Sequence, residues 1–252
     1  MEKNKKVLGI IPARYNSSRF PGKPLVDIGG KSMIQRVYEQ ATACTALDRV
    51  VIATDDPRIL HHAETFKADA LLTRNDHLSG TDRCAEVAIR LPEYAVCINI
   101  QGDEPFLNPA QIERIVLPLL EGRAEISTLA KAIQDQSALH NPNIVKVVFN
   151  KNGHALYFSR STIPYLRDFA EQDWASKQAH YRHLGLYGFQ RDTLLEIASL
   201  PPSSLEQWEA LEQLRWLENG KSIFVALTDE ETIGVDTPED AQKARMFLQN
   251  QK

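Results

Sequence analysis

Residues 11–25 read Ile-Pro-Ala-Arg-Tyr-Asn-Ser-Ser-Arg-Phe-Pro-Gly-Lys-Pro-Leu, with three cations (Arg14, Arg19 and Lys23) and no acid. The segment directly follows an apolar run, Val7 to Ile11, that reads as a buried strand. In an open α/β sheet, such a loop sits at the carboxyl end of a strand, where ligands bind. Ala13, Ser17, Ser18 and Gly22 are small enough for backbone N–H groups to approach an anion, and Pro12, Pro21 and Pro24 stiffen the loop. A nucleoside triphosphate carries about four negative charges, which several cations on one loop can match. Familiar phosphate motifs fail on spacing. Gly29-Gly30-Lys31-Ser32 ends like a Walker A loop, but its first glycine would fall on Leu25, and no GxGxxG follows the first strand. Two acids complement the cations. Asp103, in Gln101-Gly-Asp-Glu-Pro105, lies just past a predicted strand, and Asp236, in Val235-Asp-Thr-Pro238, just before a predicted helix. Both fall at turns that can share one sheet edge. One or two carboxylates completed by phosphate oxygens and water are what Mg²⁺ favours. Glu104 is not assigned to metal.

Positioning these residues requires alternating strands and helices. Strands are expected at Val7–Ile11, Val50–Ala53, Ala70–Leu72 and Tyr94–Ile100, and helices at Ser32–Ala43, Pro57–Phe66, Gly80–Leu91 and Pro109–Glu121. Strands apolar on both faces suit a parallel sheet covered by helices. Beyond them come a strand at Ile126–Ile133, a hairpin at Val145–Phe158 turning at Asn150–Gly153, and a strand near His183–Phe189. Then follow one long helix at Ser203–Asn219, a strand at Ile223–Leu227 and a final helix opened by Thr237-Pro238. The expected fold is a Rossmann-like three-layer α/β/α sandwich. Its core is placed at about 1–125 and 190–252, and a β-rich insertion at about 126–189.

The segments 11–25, 73–83, 99–105, 157–164, 182–188, 211–215 and 234–240 together resemble the 3-deoxy-manno-octulosonate cytidylyltransferase family, in that family's order and through nearly the whole chain. The resemblance implies transfer of CMP from CTP to the C2 hydroxyl of an acidic eight-carbon sugar (KDO), with release of pyrophosphate, Mg²⁺ on Asp103 and Asp236, a homodimer and a place in lipopolysaccharide synthesis. It puts CTP contacts on Ala13, Arg14, Lys23, Arg74, Ser79, Gly80, Thr81, Arg83 and Asp103. It puts sugar contacts on Gln101, Arg160, Arg167, His183, Glu212 and Gln213. Arg14, Arg19 and Lys23 would neutralise phosphate charge. Ordinary roles compete on the residues alone. Ser79-Gly80-Thr81 reads as a helix start, His183 as a lone strand histidine, Glu212 as a solvated helix face, and Asp76-His77 as structural. Trp208, Leu211, Leu214 and Leu217 form a stripe that reads as core or interface. Rival readings are a cytidylyltransferase for an amino-substituted octulosonate, a nucleotide-sugar glycosyltransferase and a non-catalytic nucleotide-binding protein.

Composition narrows the partners. The 252 residues carry 29 Lys+Arg against 33 Asp+Glu, a net charge of −4, which disfavours a broadly basic nucleic-acid binder. Cys44, Cys84 and Cys97 lack CxxC spacing and read as buried thiols. The apolar run after the charged start is too short for a signal h-region or a membrane span, so the expected setting is cytoplasmic.

Overall fold

The computed structural model describes residues 5–16 and 20–249. The apolar runs form β1 (Val7–Ala13), β2 (Arg49–Thr54), β3 (Ala70–Leu72) and β4 (Val96–Asn99), each parallel to its neighbours in the order β3-β2-β1-β4. The sheet continues through β8 (Tyr181–Gln190) and β5 (Ile126–Ala132) to β9 (Ile223–Leu227). Along this path β8 runs against its neighbours, so the carboxyl ends of β1, β4, β5 and β9 share one edge. The hairpin β6 (Lys146–Phe149) and β7 (Ala155–Ser159) lies off this path and joins it where Lys146 pairs with Arg182.

Helices cover both faces. On one face α1 (Met33–Thr42), α2 (Pro57–Thr65) and α4 (Pro109–Leu120) bury Ile34, Val37, Ile59, Ile112 and Ile115. On the other, α3 (Gly80–Arg90) and α6 (Arg191–Ala198) pack with α8 (Glu212–Glu218) around Val87, Leu194 and Trp216. The short α5 (Gln136–Leu139) joins a satellite cluster under Trp174, and α9 (Pro238–Gln249) buries Ala241 and Ala244 against Ile28 and Met33. The chain folds as the three-layer α/β/α sandwich expected from the sequence. All three cysteines are buried and free. The connections explain where a ligand belongs. Those between β1, β2 and β3 pass through α1 and α2 on one face, and that from β3 to β4 passes through α3 on the other. The reversal opens a crevice outside the carboxyl ends of β1 and β4, flanked by the loops that carry Lys23 and Asp103.

Two expectations change. The stretch 126–189 is not set apart from the sheet, because β5 and β8 are interior strands of it. Only the intervening residues, with the β6–β7 hairpin, project away. The long helix expected at Ser203–Asn219 is two helices, α7 (Ser204–Glu209) and α8, broken at Ala210 with φ +50°. Tertiary hydrogen bonds make the break. Arg160 Nε donates to the Glu209 carbonyl at 2.6 Å and Nη2 to that of Ala210 at 3.1 Å. The Glu209 carboxylate accepts from Ser159 Oγ (2.6 Å) and Arg160 N (2.9 Å). The expected stripe is split as well. Leu211 and Leu214 are buried, Trp208 is 79% exposed, and the buried tryptophan is Trp216, edge-on to Tyr187 and Phe189.

In a continuous helix, Ala210→Gly would cost about 1 kcal/mol. At a left-handed position it relieves a Cβ clash instead, so denaturant unfolding should show Ala210→Gly stabilised by about 0.5–1 kcal/mol and Ala210→Val destabilised.

Candidate active site

Lys23 opens a single 3-10 turn, Lys23–Leu25, just after Gly22 at φ +73°. The loop before it closes on itself, since Gly22 N donates to the Tyr15 carbonyl at 2.8 Å. The Lys23 ammonium thereby points back across the crevice, Nζ lying 2.8 Å from Asp103 Oδ2 and 3.1 Å from Asp236 Oδ1. Burial works to lower the Lys23 pKa, but the charges and hydrogen bonds of Asp103 and Asp236 outweigh it and hold it above the ordinary lysine value.

Each acid is set by its own loop. Gly102 lies so close to β1 that a Cβ there would stand 2.8 Å from the Pro12 carbonyl oxygen. Only glycine lets the 101–105 loop approach this closely. The loop before α9 is tied to the same place, since Val235 is fully buried and its N–H donates to the Asp103 carbonyl at 2.9 Å. Capping of α9 falls to Thr237 and Asp240. Thr237 Oγ1 accepts from Asp240 N, and the Asp240 carboxylate accepts from Thr237 N and Oγ1 and from Asp236 N. Asp236 is thus oriented by the cap without serving as the cap.

The donor set suits Mg²⁺. Two carboxylates converge on one cation position, and no group of three or more His, Cys, Asp or Glu side chains gathers among the described residues. That is the sparse oxygen set Mg²⁺ uses beside phosphates, rather than an all-protein cage. Burial, then the charge of Asp103, pushes the neighbouring Glu104 carboxyl up to about 7, with Arg182 acting against them.

The remaining expected residues divide. Ala13 ends β1 and is buried, and Arg14 beyond it is half-buried beside the crevice; Arg19 lies outside the described residues. Ser79 caps α3 reciprocally with Asp82, and Gly80 packs where a Cβ would meet Pro12 at 3.4 Å, so the start of α3 abuts the end of β1. Thr81, expected beside the nucleotide, and Glu212, expected beside the sugar, are in fact partners, Thr81 Oγ1 donating to Glu212 Oε2 at 2.8 Å. Glu212 also accepts from Arg215 at 2.9 Å, and burial first of all raises its pKa. It is no solvated helix face. Gln213 beside it is buried. Gln101 Nε2 donates to the Gly185 carbonyl at 2.8 Å.

Three arginines depart from the expectation. Arg83 is fully enclosed and donates to Thr73 Oγ1, to the Arg74 carbonyl (3.3 Å) and to Asp55 (3.2 Å), so it ties the loops after β2 and β3 together instead of facing a ligand. The Arg160 guanidinium is engaged by the carbonyls of Glu209, Ala210 and Pro142. Arg74 is exposed and forks onto Asp76 at 2.9 and 2.5 Å. Arg167 is exposed. His77 pairs with Glu86 at 2.5 Å, the structural role read for it. Asp55 and Arg58 carry no motif signal, and only the fold brings them to this edge; Tyr15 lies within the first loop, where no role is read for it.

The cytidylyltransferase family profile matches residues 8–223. A Parabacteroides distasonis protein named 3-deoxy-manno-octulosonate cytidylyltransferase is 51% identical over 250 residues, covering 97% of this chain and 99% of that one. The chain belongs to the 3-deoxy-manno-octulosonate cytidylyltransferase family. A member from Bacteroides thetaiotaomicron is 49% identical over 249 residues, covering 97% and 99%. A solved structure of CMP:2-keto-3-deoxy-manno-octonic acid synthetase complexed with CTP superposes with a TM-score of 0.91 at 42% identity, over 98% of this chain and all of that one. The family resemblance drawn from the motifs therefore holds across the whole chain.

Within this family member, His183 has the most strongly displaced histidine. Its Nε2 is 2.9 Å from Thr128 Oγ1, its ring packs between Phe158 and Tyr187, and burial lowers its pKa to about 3. An unfolded histidine protonates near 6.5. Protonation of the unfolded chain therefore removes stability as pH falls from about 6.5 toward 3, and has no effect above that window. Imidazole NMR of His183 should show no titration between pH 8 and 5. In His183→Gln, the Tm deficit relative to the parent should narrow as pH drops from 7.5 to 5.

Proposed function

We propose that this protein is a 3-deoxy-manno-octulosonate cytidylyltransferase that joins CTP and KDO to give CMP-KDO and pyrophosphate. The observation that carries the reading is Lys23 Nζ held between Asp103 and Asp236. An ammonium and two carboxylates from three distant parts of the chain meet at the kind of crevice where α/β sheets bind nucleotides, which supports this reading. Family membership supplies the substrates.

The C2 hydroxyl oxygen of KDO attacks the α-phosphorus of CTP. A new P–O bond forms, the bond to the β-phosphate oxygen breaks, pyrophosphate leaves with its electron pair, and the hydroxyl proton is released. Such displacements depend chiefly on alignment and charge neutralisation. Lys23, Arg14 and Arg19 neutralise the triphosphate. The start of α3 packs on Pro12 at the end of β1. Asp103 and Asp236 would hold Mg²⁺, which would offset phosphate charge and acidify the attacking hydroxyl. Gln101, His183, Glu212 and Gln213 offer neutral or burial-tuned polar groups for the sugar hydroxyls. Arg160 shapes this side through the 209–211 turn it holds. Arg167, an exposed cation on the 160–180 segment, would meet the sugar carboxylate.

We further propose a homodimer in the cytoplasm. Trp208, Tyr165 and Leu156 are exposed large apolar side chains that an interface would cover. No helix among the described residues is long and apolar enough to cross a membrane. The product would serve lipopolysaccharide assembly.

Pyrophosphate release should require CTP, KDO and Mg²⁺ together, fall to background with ATP, GTP or UTP, and stop on chelation. Asp103→Asn should lower kcat by about 10²–10³-fold with the Tm retained. Near-normal turnover in that variant would remove Asp103 from the mechanism, and preference for an amino-substituted octulosonate would replace KDO as substrate.

A further inference from the structure

One contact at the crevice lies outside all the residues assigned above. The Arg58 guanidinium, on α2, sits over the ring of Tyr15 with its central carbon 3.3 Å from the ring centroid. Tyr15 lies inside the phosphate loop, beside Arg14. It meets the base of that loop twice. Its carbonyl accepts from Gly22 N at 2.8 Å, and its ring lies so close to Gly22 that a Cβ there would stand 3.2 Å from Cζ and Oη. Gly22 precedes Lys23. The arginine is itself fixed. Asp56 accepts from Arg58 Nε at 2.9 Å and from Nη2 at 2.6 Å, and the same carboxylate caps α2 by accepting from Arg58 N at 2.9 Å. One acid thus sets both the start of the helix and the plane of the guanidinium. Planar stacking on an aromatic face is a contact that arginine makes and lysine only partly reproduces.

We propose that Arg58 is a positioning residue for the nucleotide: stacked on Tyr15, it pins the base of the phosphate loop to α2 and so presents Arg14 and Lys23 to the triphosphate in a fixed geometry. The inference rests on the CTP-dependent reading above. A loop that is already ordered loses less entropy when the ligand binds. The effect therefore falls on CTP affinity more than on the chemical step. Arg58 is more than half exposed, so removing it leaves the core intact.

Arg58→Ala, Arg58→Lys, Tyr15→Leu and the Arg58→Ala/Tyr15→Leu pair are compared with the parent by calorimetric titration of Mg²⁺–CTP, by steady-state kinetics and by amide hydrogen exchange at Gly22. Arg58→Ala should weaken CTP binding about three- to fivefold, raise the KM for CTP in step, leave kcat within about twofold and speed exchange at Gly22, with the Tm little changed. Arg58→Lys should recover part of the loss. The double variant should lose no more than the worse single one, because both act through one contact. Unchanged CTP affinity and unchanged Gly22 exchange in Arg58→Ala would overturn the proposal, as would additive losses in the pair. A parent protein that binds no CTP would instead overturn the functional reading. Faster Gly22 exchange in the variants would then still support the pin itself.

Discussion

An ammonium between two carboxylates organises the catalytic edge. Two negative charges brought close together repel, and Lys23, hydrogen-bonded to both Asp103 and Asp236, offsets that repulsion. Much of the local architecture serves that meeting. Gly102 lets the 101–105 loop lie against Pro12. The Val235 N–H to Asp103 carbonyl bond brings in a loop from the far end of the chain. The Gly22 turn aims Lys23 back across the crevice. The two acids are held together by one ammonium, which offsets part of their negative charge.

Much of this was legible in the sequence because it is locally encoded. Apolar runs marked the strands. Ser79 with Asp82 and Thr237 with Asp240 show the N-cap spacing that fixes where helices begin. Those helix starts and strand ends are the points that deliver Lys23, Asp103 and Asp236. The break at Ala210 was not legible. The stretch 203–219 has helical periodicity throughout, and its capping box at Ser203 and Glu206 is real. What interrupts it is Arg160, fifty residues upstream, which takes two carbonyls that a continuous helix would keep. Local propensity cannot register a partner of that kind. The placement of β5 and β8 inside the sheet was hidden for the same reason. A strand's neighbours are set by long-range pairing, and the alternation of a hairpin looks alike in a central sheet and in an insertion.

The arginines show where reading chemistry from residue type goes astray. Arg83 and Arg160 lie in segments that resemble ligand-binding motifs, yet their guanidinium groups face carbonyls, a hydroxyl and Asp55 within the protein. Five donors in a rigid fork suit arginine to bracing irregular backbone as well as to gripping anions. The loop after β3 and the turn between α7 and α8 leave carbonyls without helical or sheet partners, and each recruits an arginine, Arg83 also reaching the Asp55 carboxylate after β2. These residues act through the loops they shape.

This partition divides the site electrically. One side concentrates formal charge, with Lys23 between two aspartates. The other is built from groups that burial drives toward neutrality. His183 is pushed to about 3 and stays uncharged at physiological pH, and burial raises the pKa of Glu212 while Thr81 and Arg215 hold its oxygens. Polyphosphate binding needs compensating charge close by. Hydroxyl recognition needs fixed donors and acceptors that do not attract counter-ions or rearrange with small changes in pH. The two demands conflict if met by the same residues. Here β1 and β4 carry the charged edge, while β8 and α8 carry the polar pocket. The sheet keeps the two adjacent.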